Sequence, residues 1–171
     1  MNVQQLSRRL KGRLIEPDDS DFDEARRVFV GGVDRKPACI ARVADAADVA
    51  HMIEFARESE LALSVRSGGH SWSGACVNDG GIVIDLRDMR ALTIDETGRT
   101  AWAETGLTAR EYCAATHARG LTTGFGDTGS VGIGGLTLGG GVGYLSRKHG
   151  LTIDNLIAAE IVTANGKTLR A

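Results

Sequence analysis

Proline occurs only twice in 171 residues, and no serine- or proline-rich spacer separates one stretch of the chain from another. Flexible-linker and low-complexity architectures are therefore excluded. Cysteine is also scarce. Cys39, Cys76 and Cys113 are odd in number, far apart and never in a Cys-x-x-Cys pair, so neither a disulfide framework nor a zinc site is supported and free thiols are expected. Charge of one sign is missing too: 20 Lys and Arg against 22 Asp and Glu give a net charge of -2, with no basic block to neutralise a run of phosphates. Nucleic acid is thus not an expected partner. No stretch approaches the ~18 uncharged apolar residues of a membrane span. The start, Met1 to Lys11, carries Arg8, Arg9 and Lys11 and lacks the apolar core of a secretion signal. The expectation is a soluble, cytoplasmic chain with no membrane partner. At 42% hydrophobic residues, the length suits one domain with a core and falls short of two.

What the chain has in excess is glycine, 23 residues, about twice the usual ~7%. The excess is local. Between Gly124 and Gly143 ten of twenty residues are glycine, a density that argues against a packed helix or strand and for a segment defined by its backbone.

The first 35 residues are polar, with short helical patterns at Gln4 to Leu10 and Asp21 to Val28, and read as a lead-in. From Pro37 the signals sharpen. Ala38 to Val43 suits a strand, Asp45 caps a helix that runs to Glu58, and Leu61 to Val65 makes a second strand ending at Arg66. A polar glycine loop, Ser67 to Gly81, precedes an apolar strand at Ile82 to Leu86. The unit is β-α-β-loop-β. Ala91 to Ile94 and Thr100 to Ala103 flank a polar turn and predict an antiparallel hairpin. Thr108 and Glu111 have capping-box spacing, which places a helix at Ala109 to Arg119, ended by Gly120. Leu156 to Thr163 and Lys167 to Leu169 flank Asn165-Gly166, a hairpin signal in which both turn residues accept positive φ.

Two loops have phosphate-binding character: Arg66-Ser67-Gly68-Gly69-His70-Ser71, directly after a strand, and Gly126 to Gly135. Glycine lets the main chain approach an anion, and successive amides in a tight turn form a concave site for it. Arg66 would add charge. The plainer alternative is that each is a tight surface turn. Gly124, Gly126 and Gly129 form a Gly-x-Gly-x-x-Gly, but more glycine follows where a dinucleotide-binding helix should start, and no acidic residue stands about twenty positions on. No glycine run is followed by Lys-Ser or Lys-Thr, which excludes a P-loop. His51, His70, His117 and His149 lack metal-ligand spacing. His51 and His117 fall on predicted helices, whereas His70 ends a phosphate-type loop with Trp72 close by, where an imidazole nitrogen can face a cofactor.

The Arg66 to Ser71 motif is followed some sixty residues later by Gly-x-x-Gly-Ser-Val-Gly-Ile-Gly-Gly-x-x-x-Gly-Gly-Gly-x-Gly. Arg147-Lys148-His149-Gly150-Leu151 and Asp154-Asn155 come next. Together these resemble the FAD-binding domain of the vanillyl-alcohol-oxidase superfamily, and most closely its berberine-bridge-enzyme-like oxidases. The resemblance covers Lys36 to Ala171. It implies an α+β, two-subdomain FAD-binding domain, a small β-α-β sheet plus a mixed or antiparallel sheet, truncated before the substrate domain. Residues 1–35 would be the lead-in and 36–171 the incomplete FAD-binding domain.

By resemblance, Arg66, Ser67, Gly68, Gly69, His70 and Ser71 surround the FAD pyrophosphate, and His70 is the histidine joined to the flavin 8α-methyl carbon. Where bicovalent members carry a second, cysteinyl link, this chain has Thr128, so at most one link is implied. Val131 matches a small aliphatic position that leaves oxygen a path to the flavin. Gly134, Gly135, Gly140, Gly141 and Gly143 are implied near the cofactor, Asn155 beside it, and the backbone of Ile161 and Val162 against the adenine. Neither Tyr112 nor Tyr144 matches the family's catalytic tyrosine, and no catalytic residue is assigned. The implied function is the FAD-binding portion of an oxidoreductase that moves hydride from a C–H beside OH or NH to flavin. A small-molecule substrate acts in the full-length enzyme, and dioxygen is the acceptor. The alternative is a non-catalytic flavin-binding or interaction module.

Overall fold

Strand β4, Ile82–Asp85, is buried at all four positions. That suits a continuous apolar run covered on both faces by other layers. In the computed structural model, which describes residues 3–171, this strand is the second from the edge of a four-stranded sheet. The order is β1 (Arg13–Ile15), β2 (Cys39–Arg42), β4 and β3 (Leu63–Arg66). β2 and β3 run parallel to β4, and β1 adds an antiparallel edge in which Leu14 faces Ala41. The sequence gives no strand signal at β1, because three residues are too few to show an alternation.

Helix α3, Ala46–Glu58, crosses over between β2 and β3. Asp45 caps it as expected, accepting the Asp48 amide at 3.0 Å. Its Met52, Phe55 and Ala56 pack with Ala41, Val43, Ile82 and Ile84 into one core. Burial of each large side chain of this kind stabilises the fold by about 1.5–3 kcal/mol. The opposite face holds Ile15, Phe22, Ala25, Ile40, Val77 and Val83.

The polar N-terminal stretch is thus threaded through both layers. Helix α1, Val3–Ser7, sends Leu6 into the α3 core; Met1 and Asn2 lie outside the described residues. Asp48 is buried and accepts the amides of Lys11, Gly12 and Ala44, each at 2.9 Å, pinning the entry to β1. The helix expected over Asp21 to Val28 is shorter: α2 spans Phe22–Ala25. It stops because the chain beyond pairs elsewhere, the Phe29 amide donating to the Gly69 carbonyl at 3.0 Å.

The second part is built around Leu107, Ala109, Tyr112, Phe125 and Ile133. β5 (Leu92–Asp95) and β6 (Thr100–Ala103) form the expected antiparallel hairpin. Helix α4, Ala109–His117, carries the complete capping box between Thr108 and Glu111. Contrary to expectation, the glycine segment contains a helix, α5, Ile133–Leu138. Its glycine is required by close packing: a Cβ at Gly134 would lie 2.9 Å from the Thr105 Cβ. A short helix, α6 (Ser146–His149), and a 3-10 turn (Ile153–Asn155) follow.

The last hairpin pairs β7 (Glu160–Val162) with β8 (Thr168–Arg170). The first strand begins later than Leu156, because the Leu156 amide closes the 3-10 turn onto Ile153. Only Gly166 of the Asn165-Gly166 pair takes positive φ, at 77°. This matches a three-residue loop with one left-handed position. The architecture is α+β, with its second sheet present as two separate antiparallel hairpins.

Candidate cofactor site

β3 sets the geometry of the first glycine loop. Its pleat turns Ser64 and Arg66 inward and leaves Leu63 and Val65 outside. In register, Arg66 stands beside Asp85 on the neighbouring strand. The Arg66 guanidinium is therefore buried, donating to Asp85 Oδ2 at 2.7 Å and to the Ala25 carbonyl at 2.6 Å. The expectation that Arg66 adds charge to the phosphate loop is corrected here. Its charge is spent on Asp85, because the sheet face offers no water and an unpaired guanidinium would be costly. Arg87 also donates to Asp85, at 2.9 Å, and Arg42 lies 3.7 Å away. Burial alone would raise the Asp85 carboxyl, but the Arg87 hydrogen bonds and the Arg66 charge hold it below the ordinary carboxylate range.

From this anchor the chain enters Ser67 to Ser71. Gly69 takes φ 74°. The amides of Gly68, Gly69, His70 and Ser71 donate to no protein acceptor among the described residues. Four successive free donors in a tight turn are a nest for an anion. The Ser71 hydroxyl is used locally, accepting the Ala75 amide at 3.1 Å.

The second glycine loop closes on the first. A Cβ at Gly68 would lie 2.2 Å from the Gly132 nitrogen, and one at Gly132 would lie 2.2 Å from the Gly68 nitrogen. Two backbones touch here, which only glycine permits. The Ser67 hydroxyl donates to the Thr105 carbonyl, and Thr105 also packs on Gly134. Half-buried Val131 sits in the same junction, its carbonyl accepting the Ala109 amide at 2.9 Å. Gly135 faces open space. Thr128 is exposed, its hydroxyl donating to Asp127 Oδ1 at 3.0 Å.

His70 stands at the end of the loop, its ring stacked on Phe29 with centroids 4.1 Å apart and planes 17° from parallel. Burial pushes the imidazole below its ordinary value, while the Ser130 backbone acts the other way. The neutral ring is favoured. Trp72 meets Phe29 edge-on at 6.4 Å. Sequence reasoning missed Phe29 and Thr105. Phe29 gave one available signal, an aromatic residue within a polar stretch ahead of Gly31-Gly32.

The remaining expected residues form a separate group. Gly140 and Gly141 take φ 97° and 75°, and their carbonyls accept the Ile153 and Thr152 amides. A Cβ at Gly143 would strike the Phe125 carbonyl at 1.9 Å. Leu136 of α5 touches both Gly126 and Gly141, joining this group to the junction. Asn155 spends its side-chain amide on the His149 and Leu151 carbonyls, at 3.0 and 2.8 Å, so it serves the turn first. Ile161 and Val162 lie on β7, which packs on α3.

Free amides suited to a pyrophosphate, with the His70 imidazole at the end of the same loop, are a donor set that suits FAD. The residues fit the group. No cluster of His, Cys, Asp and Glu suited to a metal exists among the described residues, and no helix there is long and apolar enough to cross a membrane.

A family model for the FAD binding domain matches residues 37–171. The chain is 41% identical over 160 residues to (R)-6-hydroxynicotine oxidase of Paenarthrobacter nicotinovorans, covering 94% of this chain and 35% of that protein. It is 40% identical over 139 residues to berberine bridge enzyme-like 27 of Arabidopsis thaliana, covering 78% and 26%. The crystal structure of 6-hydroxy-D-nicotine oxidase from Arthrobacter nicotinovorans superposes with a TM-score of 0.96 at 39% identity, over 100% of this chain and 37% of that one. Glucooligosaccharide oxidase from Acremonium strictum, described with a 6-S-cysteinyl, 8α-N1-histidyl FAD, superposes with a TM-score of 0.88 at 28% identity, over 94% and 34%. The chain thus spans about a quarter to just over a third of the length of these proteins. The family model over most of the chain and these relatives together show that the chain belongs to the FAD-binding domain of the vanillyl-alcohol-oxidase superfamily, with the berberine-bridge-enzyme-like FAD-linked oxidases.

Proposed function

We propose that this chain is the FAD-holding part of an oxidase that takes hydride from a C–H beside a hydroxyl or amine of a small molecule, and that His70 anchors the cofactor covalently. The observation that carries the reading is His70 itself, an imidazole stacked on Phe29 at the end of a loop with four free amides. Bound FAD would supply the redox chemistry, passing the substrate's two electrons to dioxygen to give hydrogen peroxide. The chain's residues hold and orient it. Gly68 to Ser71 offer amides to the pyrophosphate, Gly132 packs directly on Gly68, and Gly135 leaves open space beside α5.

Attachment would replace one hydrogen of the flavin 8α-methyl group with a ring nitrogen of His70. The methyl hydrogen and the imidazole N–H hydrogen would leave as protons, and the two electrons released would go to dioxygen, so that hydrogen peroxide balances the bond formed. Thr128 in place of cysteine leaves one link, where the Acremonium strictum relative is described with two. Val131 is the residue through which oxygen access would be controlled. Relatives that are themselves oxidases favour turnover over a flavin-holding module without it. The test is the visible spectrum of the purified protein before and after acid precipitation. Yellow colour retained in the pellet and lost in His70→Ala supports the reading; flavin released entirely to the supernatant contradicts the covalent anchor.

A further inference from the structure

We propose that Phe29 is a positioning residue for His70, holding the imidazole in one fixed plane for attachment to FAD. The inference rests on reading His70 as the attachment residue. Three observations carry it. The Phe29 ring lies face to face with the imidazole at 4.1 Å and 17°. The Phe29 amide donates to the carbonyl of Gly69, the residue directly before His70, at 3.0 Å. The segment that delivers Phe29 is bolted to the sheet by the buried guanidinium of Arg66, which donates to the Ala25 carbonyl at 2.6 Å and to the Arg27 carbonyl at 3.4 Å.

Phe29 is 57% exposed, so its ring gains little from burial. Its ring joins none of the core clusters of the described residues, and its backbone is tied to the loop it covers. Stacking restricts the imidazole torsion and strips water from one face. Only burial and the Ser130 backbone bear on the ring's titration, with no charged side chain contributing among the described residues. The N-terminal stretch is thereby part of the cofactor site.

The experiment compares wild type, Phe29→Leu, Phe29→Trp and His70→Ala. The first readout is His70 titration by NMR in flavin-free protein, with the resonance assigned by its loss in His70→Ala. The second is the rate at which added FAD becomes resistant to acid precipitation. Phe29→Leu should move the His70 midpoint up toward its ordinary value and slow attachment at least tenfold at saturating FAD. Phe29→Trp should restore both. An unmoved titration and wild-type attachment in Phe29→Leu overturn the positioning role. Wild type that binds FAD but releases all of it on denaturation overturns the attachment reading instead, and the proposal with it.

Discussion

In the four-stranded sheet Ile82, Val83, Ile84 and Asp85 are all shut off from solvent, whereas between Gly124 and Gly143 the apolar side chains Leu138 and Val142 stand largely in it. The first region is organised by burial and by one charge network. The second is organised by close approaches that a single methyl group would break, onto backbone at Gly132 and Gly143 and onto side chains at Gly134 and Gly141. The junction proposed to hold the cofactor lies where the two meet, with Gly68 and His70 from the sheet side and Ser130 to Gly135 from the glycine side. A rigid sheet fixes where the loop starts, and a side-chain-free partner lets the loop stay open to a ligand.

The comparison breaks most severely at Asp85. Asp85→Ala leaves Arg66 buried without its counter-charge, and urea unfolding should show a loss of about 3–5 kcal/mol. A loss below 1 kcal/mol would mean that the network does not carry the sheet. Because the folded state holds Asp85 below the ordinary carboxylate range, its stabilisation is fully present above the unfolded value of about 3.9. It is lost as pH falls from there through the lower, folded value, so Asp85→Asn should flatten the acid limb of the stability curve between that folded value and about 3.9.

On the glycine side, Gly132→Ala should cost roughly 1–3 kcal/mol through overpacking against Gly68. It should also weaken FAD binding at least tenfold in a fluorescence titration. Retained affinity would separate the junction from the cofactor. Thr108→Ala removes the capping box of α4 and should cost about 1 kcal/mol in thermal unfolding, with FAD binding unchanged. The smallest stability effect is expected at Gly135→Ala. Its Cβ meets no protein atom, and alanine favours the helix, so stability should hold or rise by roughly 0.5 kcal/mol. FAD affinity should nonetheless fall, since the open space at Gly135 is where the cofactor is proposed to sit.

Local chemistry made much of this legible in the sequence. Asp45 and Thr108 act on amides three residues away, so their caps can be read directly from spacing. The hairpin turns at Asp95 to Thr100 and around Gly166 are equally local. Other features depend on partners distant in the chain. Arg66 turns inward because Asp85 stands beside it in register, a pairing separated by 19 residues. Gly134 of helix α5 must be small because Thr105, 29 positions earlier in the chain, packs against it. Strand β1 borrows its pairing from β2, and Phe29 gains meaning only from its stack on His70. The loop residues Ser67 to Ser71 were recognisable as a motif; the junction they make with Gly132 required coordinates.

The most direct test of the covalent anchor proposed at His70 is peptide mapping by mass spectrometry of the denatured, FAD-supplied protein. The account predicts flavin bound to the single peptide that contains His70 and to none in the His70→Ala variant. Unmodified His70 in protein that was yellow when native, or flavin carried on any other residue, would contradict it.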